Sequence, residues 1–367
     1  MSQLKVNSIV DASGGSNAQL YGVASPPNSM GFRNRILNGD CRIDQRNAGA
    51  SVTITNTSAS TYLLDRWKAD VSQASKMSVQ QSSVAPAGFT NSLLVTSLSA
   101  YTVGASEVFA ITQIIEGYNI ADFAWGSASA QSVTLSFWVR SSLPGTFGIV
   151  LENNANNRSY PATYTISAAN TWEQKSITIA GETTGTWVVN NGKGLQVKFG
   201  LGVGSSLSGT AGSWAAADYW GATGATNVVG TNGATFYITG VQLEAGTVAS
   251  PFERRDYGRE LMMCQRYFQT ISSGERTMAR NHGFDLSTVR DQKVFNLPVV
   301  MRSAPTTVTT SYSVNDDAGS TPANVTSVAL TATAGGADVR ARITYSSQYA
   351  AGVFHNFNFA ATLSSEL

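Results

Sequence analysis

In QSVTLSFWVR, residues 131–140, every second position is large and apolar: Val133, Leu135, Phe137 and Val139. Successive side chains of an extended chain point to opposite faces, whereas the apolar positions of a helix recur every three or four residues. The run is therefore one strand with one buried side. GLQVKFGL, residues 194–201, repeats the pattern with Leu195, Val197, Phe199 and Leu201 on one face and Gln196 and Lys198 on the other. FGIVL and KSITI are shorter strands of the same kind. The connections ENNANNRS, NNGKG, SSLSGTAGS and GATGATN are rich in Gly, Ser and Asn, residues that accept turn dihedrals. Many strands joined by long polar loops predict a mainly β chain whose body, about residues 31–253, is an antiparallel β-sandwich of the jelly-roll kind.

Composition supports this and excludes several functions. Charged residues make up 13% of the 367 residues, about half of the usual ~25%. Long exposed helices, whose surfaces carry Lys and Glu, are disfavoured. A surface so low in charge also suits a subunit that hides area in an oligomer. The formal net charge of +1 is no basis for binding nucleic acid, which requires a strongly basic face. Cys41 and Cys264 form no CxxC motif and are expected as two isolated thiols. No run approaches the ~18 apolar residues of a membrane helix, so no membrane insertion is expected. The start MSQLKVNSIV has no apolar core of signal-peptide length.

The chain divides into four parts. Residues 1–30 contain SQLKVNSIV and then DASGGSNAQLYGVASPPN, too few bulky apolar groups to fold alone. They are expected as an extended arm that adds a strand to a partner. Within 31–253, TFYITGVQLEAG carries Phe236 and Ile238 on one phase and Val241 and Leu243 on the other. The change at Gly240 predicts a β-bulge, and Pro251, which has no N–H, is expected to end the ladder. In DYGRELMMCQRYFQ, Tyr257, Leu261, Cys264 and Phe268 are spaced four, three and four, one face of a helix with Asp256 as its cap. This predicts a short linker helix within 254–270. Residues 271–367 return to strands and are expected as a smaller C-terminal β domain. All seven tryptophans lie before residue 221.

The candidate chemistry is binding. GSWAAADYWGATGATN, residues 212–227, sets Trp214, Tyr219 and Trp220 in a small-residue loop with Asp218. Flat aromatic faces stack on sugar rings while carboxylates and amides bond the hydroxyls. The competing reading tucks the same rings under the loop as a satellite core cluster or an interface. Trp138 points away from the apolar side of its strand, to line a groove or to meet a neighbouring chain. Tyr118, Trp125 and residues 153–160 are further contact candidates. Trp67 reads as core, with Asp65 and Arg66 as a structural ion pair. Arg254, Arg255 and Arg259 read as salt-bridging residues of the linker helix rather than as an anionic-glycan site. The acids Glu107, Glu116, Asp218, Asp285 and Asp291 form no catalytic motif, and His282 and His355 have no metal-ligand spacing. GxSxG and the phosphate-binding glycine loop are both missing.

Three stretches in this order resemble bacteriophage tail-fibre and related virion proteins: RNRILNGDCRIDQRNAG (33–49) with YLLDRW (62–67), FYITGVQLEAGTVASPFERRDYGRELMMCQRYFQ (236–269), and LPVVMRSAPTTV (297–308). The first two bracket what resembles a carbohydrate-binding-module jelly roll of the galactose-binding-like type. SQLKVNSIVDASGG resembles the particle-attachment start of such fibres. The resemblance implies a homotrimer or other oligomer on the phage particle. It implies an arm anchored to a tail or capsid protein through Leu4, Val6 and Ile9, and distal domains that present a surface to host glycans without catalysis. A capsid decoration or head-fibre protein is the alternative, and a glycan depolymerase, which needs paired carboxylates, is the second. In related jelly rolls a structural calcium often lies near the first and last strands. Asp40 and Glu244 occupy the corresponding motifs, while a last-strand position often held by Asp is Thr239 or Gly240 here.

Overall fold

Two six-stranded antiparallel sheets lie face to face and enclose one core in the computed structural model, which describes residues 32–271, 277–280, 289–316, 325–332, 336–345 and 354–367. The expectations for Leu4, Val6, Ile9, His282 and Asp285 fall outside the described residues, as do the side chains of Asp291 and His355. In chain order the sandwich strands are β1 (Val52–Thr53), β2 (Thr61–Leu64), β3 (Trp67–Val71), β4 (Met77–Ser82), β5 (Ser92–Ser97), β6 (Val108–Glu116) and β7 (Val133–Ser141). Then follow β8 (Gly145–Asn153), β9 (Ser159–Ile166), β10 (Glu173–Ile179), β11 (Lys193–Val203), two short pieces β12 (Ser208–Gly209) and β13 (Gly221–Ala222), and β14 (Thr235–Ala245). The first sheet runs β1-β4-β5-β14-β7-β10 and the second β2-β3-β6-β11-β8-β9.

The alternation places the core as expected. Val133, Leu135, Phe137 and Val139 from the first sheet meet Leu195, Val197, Phe199 and Leu201 from the second, all fully buried. Each such side chain contributes about 1.5–3 kcal/mol by leaving water. Trp67 is also core, and its indole N–H donates to the Asn38 carbonyl at 3.0 Å. The two cysteines are buried free thiols.

The bulge falls where the phase changes. Thr239 pairs with Trp138 and Gln242 with Ser136, so Gly240 and Val241 together oppose one residue. Gly240 has φ +60°, and a Cβ there would sit 2.7 Å from Phe89 Cζ; both conditions call for glycine. Pro251 does not terminate this strand. The ladder stops at Ala245, upstream of the proline, and the chain reverses at Gly246, φ +111°. The Pro251 carbonyl instead accepts from the Arg33 guanidinium at 2.7 Å.

The helix α1 (Tyr257–Gln265) is capped by Asp256, whose carboxylate accepts the Arg259 N–H at 2.9 Å. Its buried face differs from the expected one. Tyr257 is 55% exposed, and Glu260 and Cys264 face inward. The buried Arg255 guanidinium needs a counter-charge; Glu260 supplies it at 3.2 Å and also accepts the Asn38 N–H. A charged pair thus occupies what periodicity assigns to an apolar residue. Phe268 has already left the helix for β15 (Phe268–Ile271).

Asp65 and Arg66 do not pair with each other. Asp65 accepts the Gln45 N–H at 2.7 Å and its side-chain amide at 2.6 Å. Burial pushes the Asp65 carboxyl up to about 6. Arg66, at φ +69°, is bonded to Glu366 and stacks 3.6 Å from the Tyr267 ring centroid.

Beyond β15 lie β16 (Thr277–Arg280), β17 (Val289–Asn296), β18 (Thr306–Asp316), β19 (Val325–Ala332), β20 (Asp338–Tyr345) and β21 (Phe354–Ser364). β21 pairs with β15, β16 and β18, and β20 pairs with β17 and β19, all antiparallel. This is the separate, smaller C-terminal β region. It contacts the sandwich: Glu366 pairs with Arg46 at 2.6 Å, and Arg302, between β17 and β18, donates to the Asn191 carbonyl at 2.9 Å.

Candidate functional site

The two outer faces of the sandwich are built differently. On the second sheet, the outward positions of β8 and β11 include Gly148, Gly200 and Gly202. A Cβ at Gly148 would lie 2.7 Å from the Ala222 backbone nitrogen, and one at Gly200 3.1 Å from the Trp220 carbonyl oxygen. Residues 204–227 therefore cross this sheet, with the backbone at 220–222 directly on it. Within this segment β12 and β13 pair in parallel, and Ala215 bridges to Ser159. Gln196 and Lys198, outward-pointing as the alternation requires, end up buried beneath it.

Five residues clamp the segment down. The fully buried Lys198 ammonium lies 2.5 Å from Glu152, 3.4 Å from Asp218 and 3.6 Å from the centroid of the Trp220 ring. The Gln196 amide donates to the same Glu152 oxygen at 2.8 Å. Desolvation pushes the Glu152 carboxyl up to about 8, against the pull of Lys198 and with a further push from Asp218. Two carboxyl groups thus share one lysine. Glu152 is fully buried, so a substrate atom has no route to it. The arrangement ties a loop to a sheet and does not present an acid and a base to a cleft.

Of the expected contact residues, Asp218 and Trp220 come together here. Tyr219 packs its ring against Gly209. Trp214 turns into an aromatic cluster at the end of the core, 5.3 Å from both Trp125 and Tyr160 and 5.6 Å from Trp187, with its N–H donated to the Ala180 carbonyl at 2.8 Å. Trp138 is on the opposite side of the sandwich, the outer face of the first sheet. Tyr118 is 62% exposed. It sits at the rim of a cavity of about 480 Å³ between the sandwich and α1, together with Phe32, Leu37, Met263 and Arg266. Burial raises the Glu116 carboxyl in this cavity, but hydrogen bonds from Arg266 and Tyr267 hold it below the usual range.

One end of the outer face of the first sheet is open and aromatic; on the rest of it Thr134, Ser136, Thr239, Gln242 and Glu244 are buried. Tyr237 on β14 and Arg140 on β7 are register partners, and Trp138 follows one row on, beside Thr239 and Gln174. The Arg140 guanidinium lies 5.1 Å from the Tyr237 ring centroid and donates from Nε to the Asn170 carbonyl at 2.9 Å. Trp172 meets Tyr237 edge-on at 6.0 Å. Beyond Trp138, Phe89 packs against the Gly240 bulge and against Phe252 at 5.4 Å, with Arg254 4.7 Å over the Phe89 ring. Trp138, Trp172, Tyr237, Phe89 and Phe252 are all half-buried, flanked by Gln80, Thr96 and Gln174. Apart from Trp138, these residues escaped the sequence reading. The signal was present in Tyr237, which alternates against Phe236 and Ile238 as Trp138 does against Phe137 and Val139.

The expected calcium donors are each engaged by the protein. Asp40 pairs with Arg42 at 2.5 Å. Glu244 accepts from the Ser250 N–H and hydroxyl and lies 3.5 Å from Arg33. Among the described residues no three His, Cys, Asp or Glu side chains gather as a metal site. Calcium takes six to eight oxygens, and this donor set does not fit it. The three linker arginines also separate: Arg255 is buried with Glu260, Arg254 covers Phe89, and only the backbone of Arg259 is engaged among the described residues.

No protein-family model and no curated protein sequence matches the chain. Among solved structures it is similar to the enzymatically active domain of bacteriophage CBA120 tailspike protein 4, at 12% identity and a TM-score of 0.31. That match covers 59% of this chain and 22% of the tailspike domain. It is similar to the module TmCBM61 in complex with β-1,4-galactotriose, at 10% identity and a TM-score of 0.29, covering 58% of this chain and 99% of that one. A family 11 carbohydrate-binding module from Clostridium thermocellum, in complex with a β-1,3-1,4-mixed-linked tetrasaccharide, matches at 12% identity and a TM-score of 0.28, covering 54% and 97%. Similarities at this level leave the chemistry to be argued from the residues themselves.

Proposed function

We propose that the chain is a phage virion protein, a tail fibre or spike adhesin that binds host-surface glycans through the open face of its first sheet and performs no bond-breaking chemistry. The observation that carries this reading is the half-exposed row of Trp172, Tyr237 and Trp138 on one end of a sheet face, beside Leu94 and with Gln80, Thr96 and Gln174 nearby. Rings held flat by strands stack on sugar rings with little loss of side-chain freedom. The neighbouring Thr and Gln side chains supply hydrogen bonds. The tail-fibre-like motifs favour the particle surface as its location. Residues 1–30 serve as the arm that docks on a tail or capsid protein, and a homotrimer multiplies a weak sugar site by effective concentration. Binding without catalysis is favoured because the Glu152 carboxyl, which shares Lys198 with the half-exposed Asp218, is itself fully buried.

The test is retention of the full chain on host cells or their purified surface polysaccharide. The Trp138→Ala/Trp172→Ala double variant is expected to lose binding with its thermal midpoint nearly unchanged. Undiminished binding by that variant sinks the reading. Release of new reducing ends from the polysaccharide sinks the non-catalytic part.

A further inference from the structure

We infer that the open face selects acidic polysaccharides, specifically those bearing uronic-acid carboxylates; this rests on the reading that the face binds glycans at all. The argument is one of charge left over. Arg140 and Arg254 stand at the two ends of the aromatic row, Arg140 over Tyr237 and Arg254 over Phe89 and Phe252. Neither has a carboxylate within ion-pair distance among the described residues. Among the described residues Arg140 has one polar partner, the Asn170 carbonyl, through Nε, and its two terminal nitrogens bond none of them. The nearby acids are each spent elsewhere. Glu173 is held by Lys175 at 2.6 Å and by two backbone N–H groups, Glu244 by Ser250, and Glu253 by the Asn34 N–H and Arg255.

In a chain with so few charges, two guanidinia held over rings by stacking, with their hydrogen-bonding edges free, match a carboxylate in shape and sign. A guanidinium fork bonds a carboxylate in two places at once. From Tyr237 to the Gly240 bulge the row covers roughly 10 Å along β14, at about 3.3 Å per residue. A polymer lying along it meets the guanidinia at separate sugars.

The experiment probes the full chain against an array of purified bacterial capsular and O-antigen polysaccharides, some neutral and some containing uronic acids. Every retained acidic polymer is then tested again after chemical reduction of its carboxylates to alcohols. The wild-type chain is expected to favour the acidic members and to lose about tenfold in affinity on reduction, the size of one charge-assisted interaction. Binding to the acidic form should also weaken with added salt. The Arg140→Gln/Arg254→Gln variant should bind the acidic and reduced forms alike, at an unchanged thermal midpoint. Arg140→Lys should keep part of the preference, since it retains the charge and loses the fork.

Equal wild-type binding to a polymer and its reduced form overturns the charge selection and leaves the aromatic-face reading standing. Retention confined to neutral members does the same. Retention that survives Trp138→Ala/Trp172→Ala, or an array on which nothing is retained, overturns both.

Discussion

The two outer faces of this sandwich start from the same alternation and reach opposite ends. On the second sheet the outward residues of β8 and β11 include glycines, and residues 204–227 cross them over a buried Lys198–Glu152 pair. On the first sheet the outward residues include Trp138, Arg140 and Tyr237, and that end of the face stays half-exposed, while Ser136, Thr239 and Gln242 beside it are buried. Side-chain bulk decides which happens. A face with no Cβ in its middle rows admits backbone at van der Waals distance and becomes a second interior. A face paved with rings holds backbone off and remains a surface.

That contrast is open to attack at four points, taken from the largest expected effect down. Glu152→Ala removes the acceptor closest to the buried Lys198 ammonium. The carboxyl is raised to about 8, so what is lost at neutral pH is a hydrogen-bond partner of a buried charged group, about 3 kcal/mol by chemical denaturation, with Asp218 and Trp220 still holding the lysine. A loss no larger than that of a surface substitution means that the closed face is not closed. Gly148→Leu should come next, at about 1–3 kcal/mol, because its Cβ meets the Ala222 backbone rather than a side chain that can turn aside.

The third test is pH. The Glu152 carboxyl is raised from 4.5 to about 8 in the folded chain. Its contribution to stability is therefore complete below about 4.5 and is lost as pH rises through 8. Unfolding free energy should fall between pH 5 and 8.5 and should fall less in Glu152→Gln; parallel profiles for the two proteins would contradict the assignment. Fourth and smallest in stability is Trp138→Ala on the open face. It is expected to cost under about 1 kcal/mol while lowering glycan retention. Trp220→Ala should do the reverse, softening the fold by about 2 kcal/mol with retention unchanged once the variant is folded.

Local patterns were legible from sequence. The strands of the sandwich, the bulge at Gly240 and the Asp256 cap each depend on residues within a few positions of one another, and alternation or capping chemistry encodes them directly. The closed face was not legible. Gln196 and Lys198 read as solvent-facing because nothing within β11 announces that a segment beginning beyond its end folds back over it. The isolated glycines at 148, 200 and 202 were the one available sign. Glu260 lies only five residues from its partner Arg255 and was not legible for another reason: apolar spacing assigns no buried position to a charged residue. The same distance effect applies to Arg66. Arg66 was matched to its neighbour Asp65, while its counter-ion lies 300 residues away in Glu366. Trp138 was identifiable by its phase and Tyr237 equally so, but their convergence with Trp172 and Phe89 depends on which strands lie side by side.

The Arg66–Glu366 link bears on how this molecule can be dissected. A fragment cut after residue 253 retains every strand of the sandwich but strands a guanidinium under the site vacated by Tyr267, with no anion to meet it. Such a piece would be handicapped by the excision itself, and its poor behaviour would say little about whether the sandwich folds autonomously. Replacing Arg66 with an uncharged residue of similar length before trimming separates those two causes.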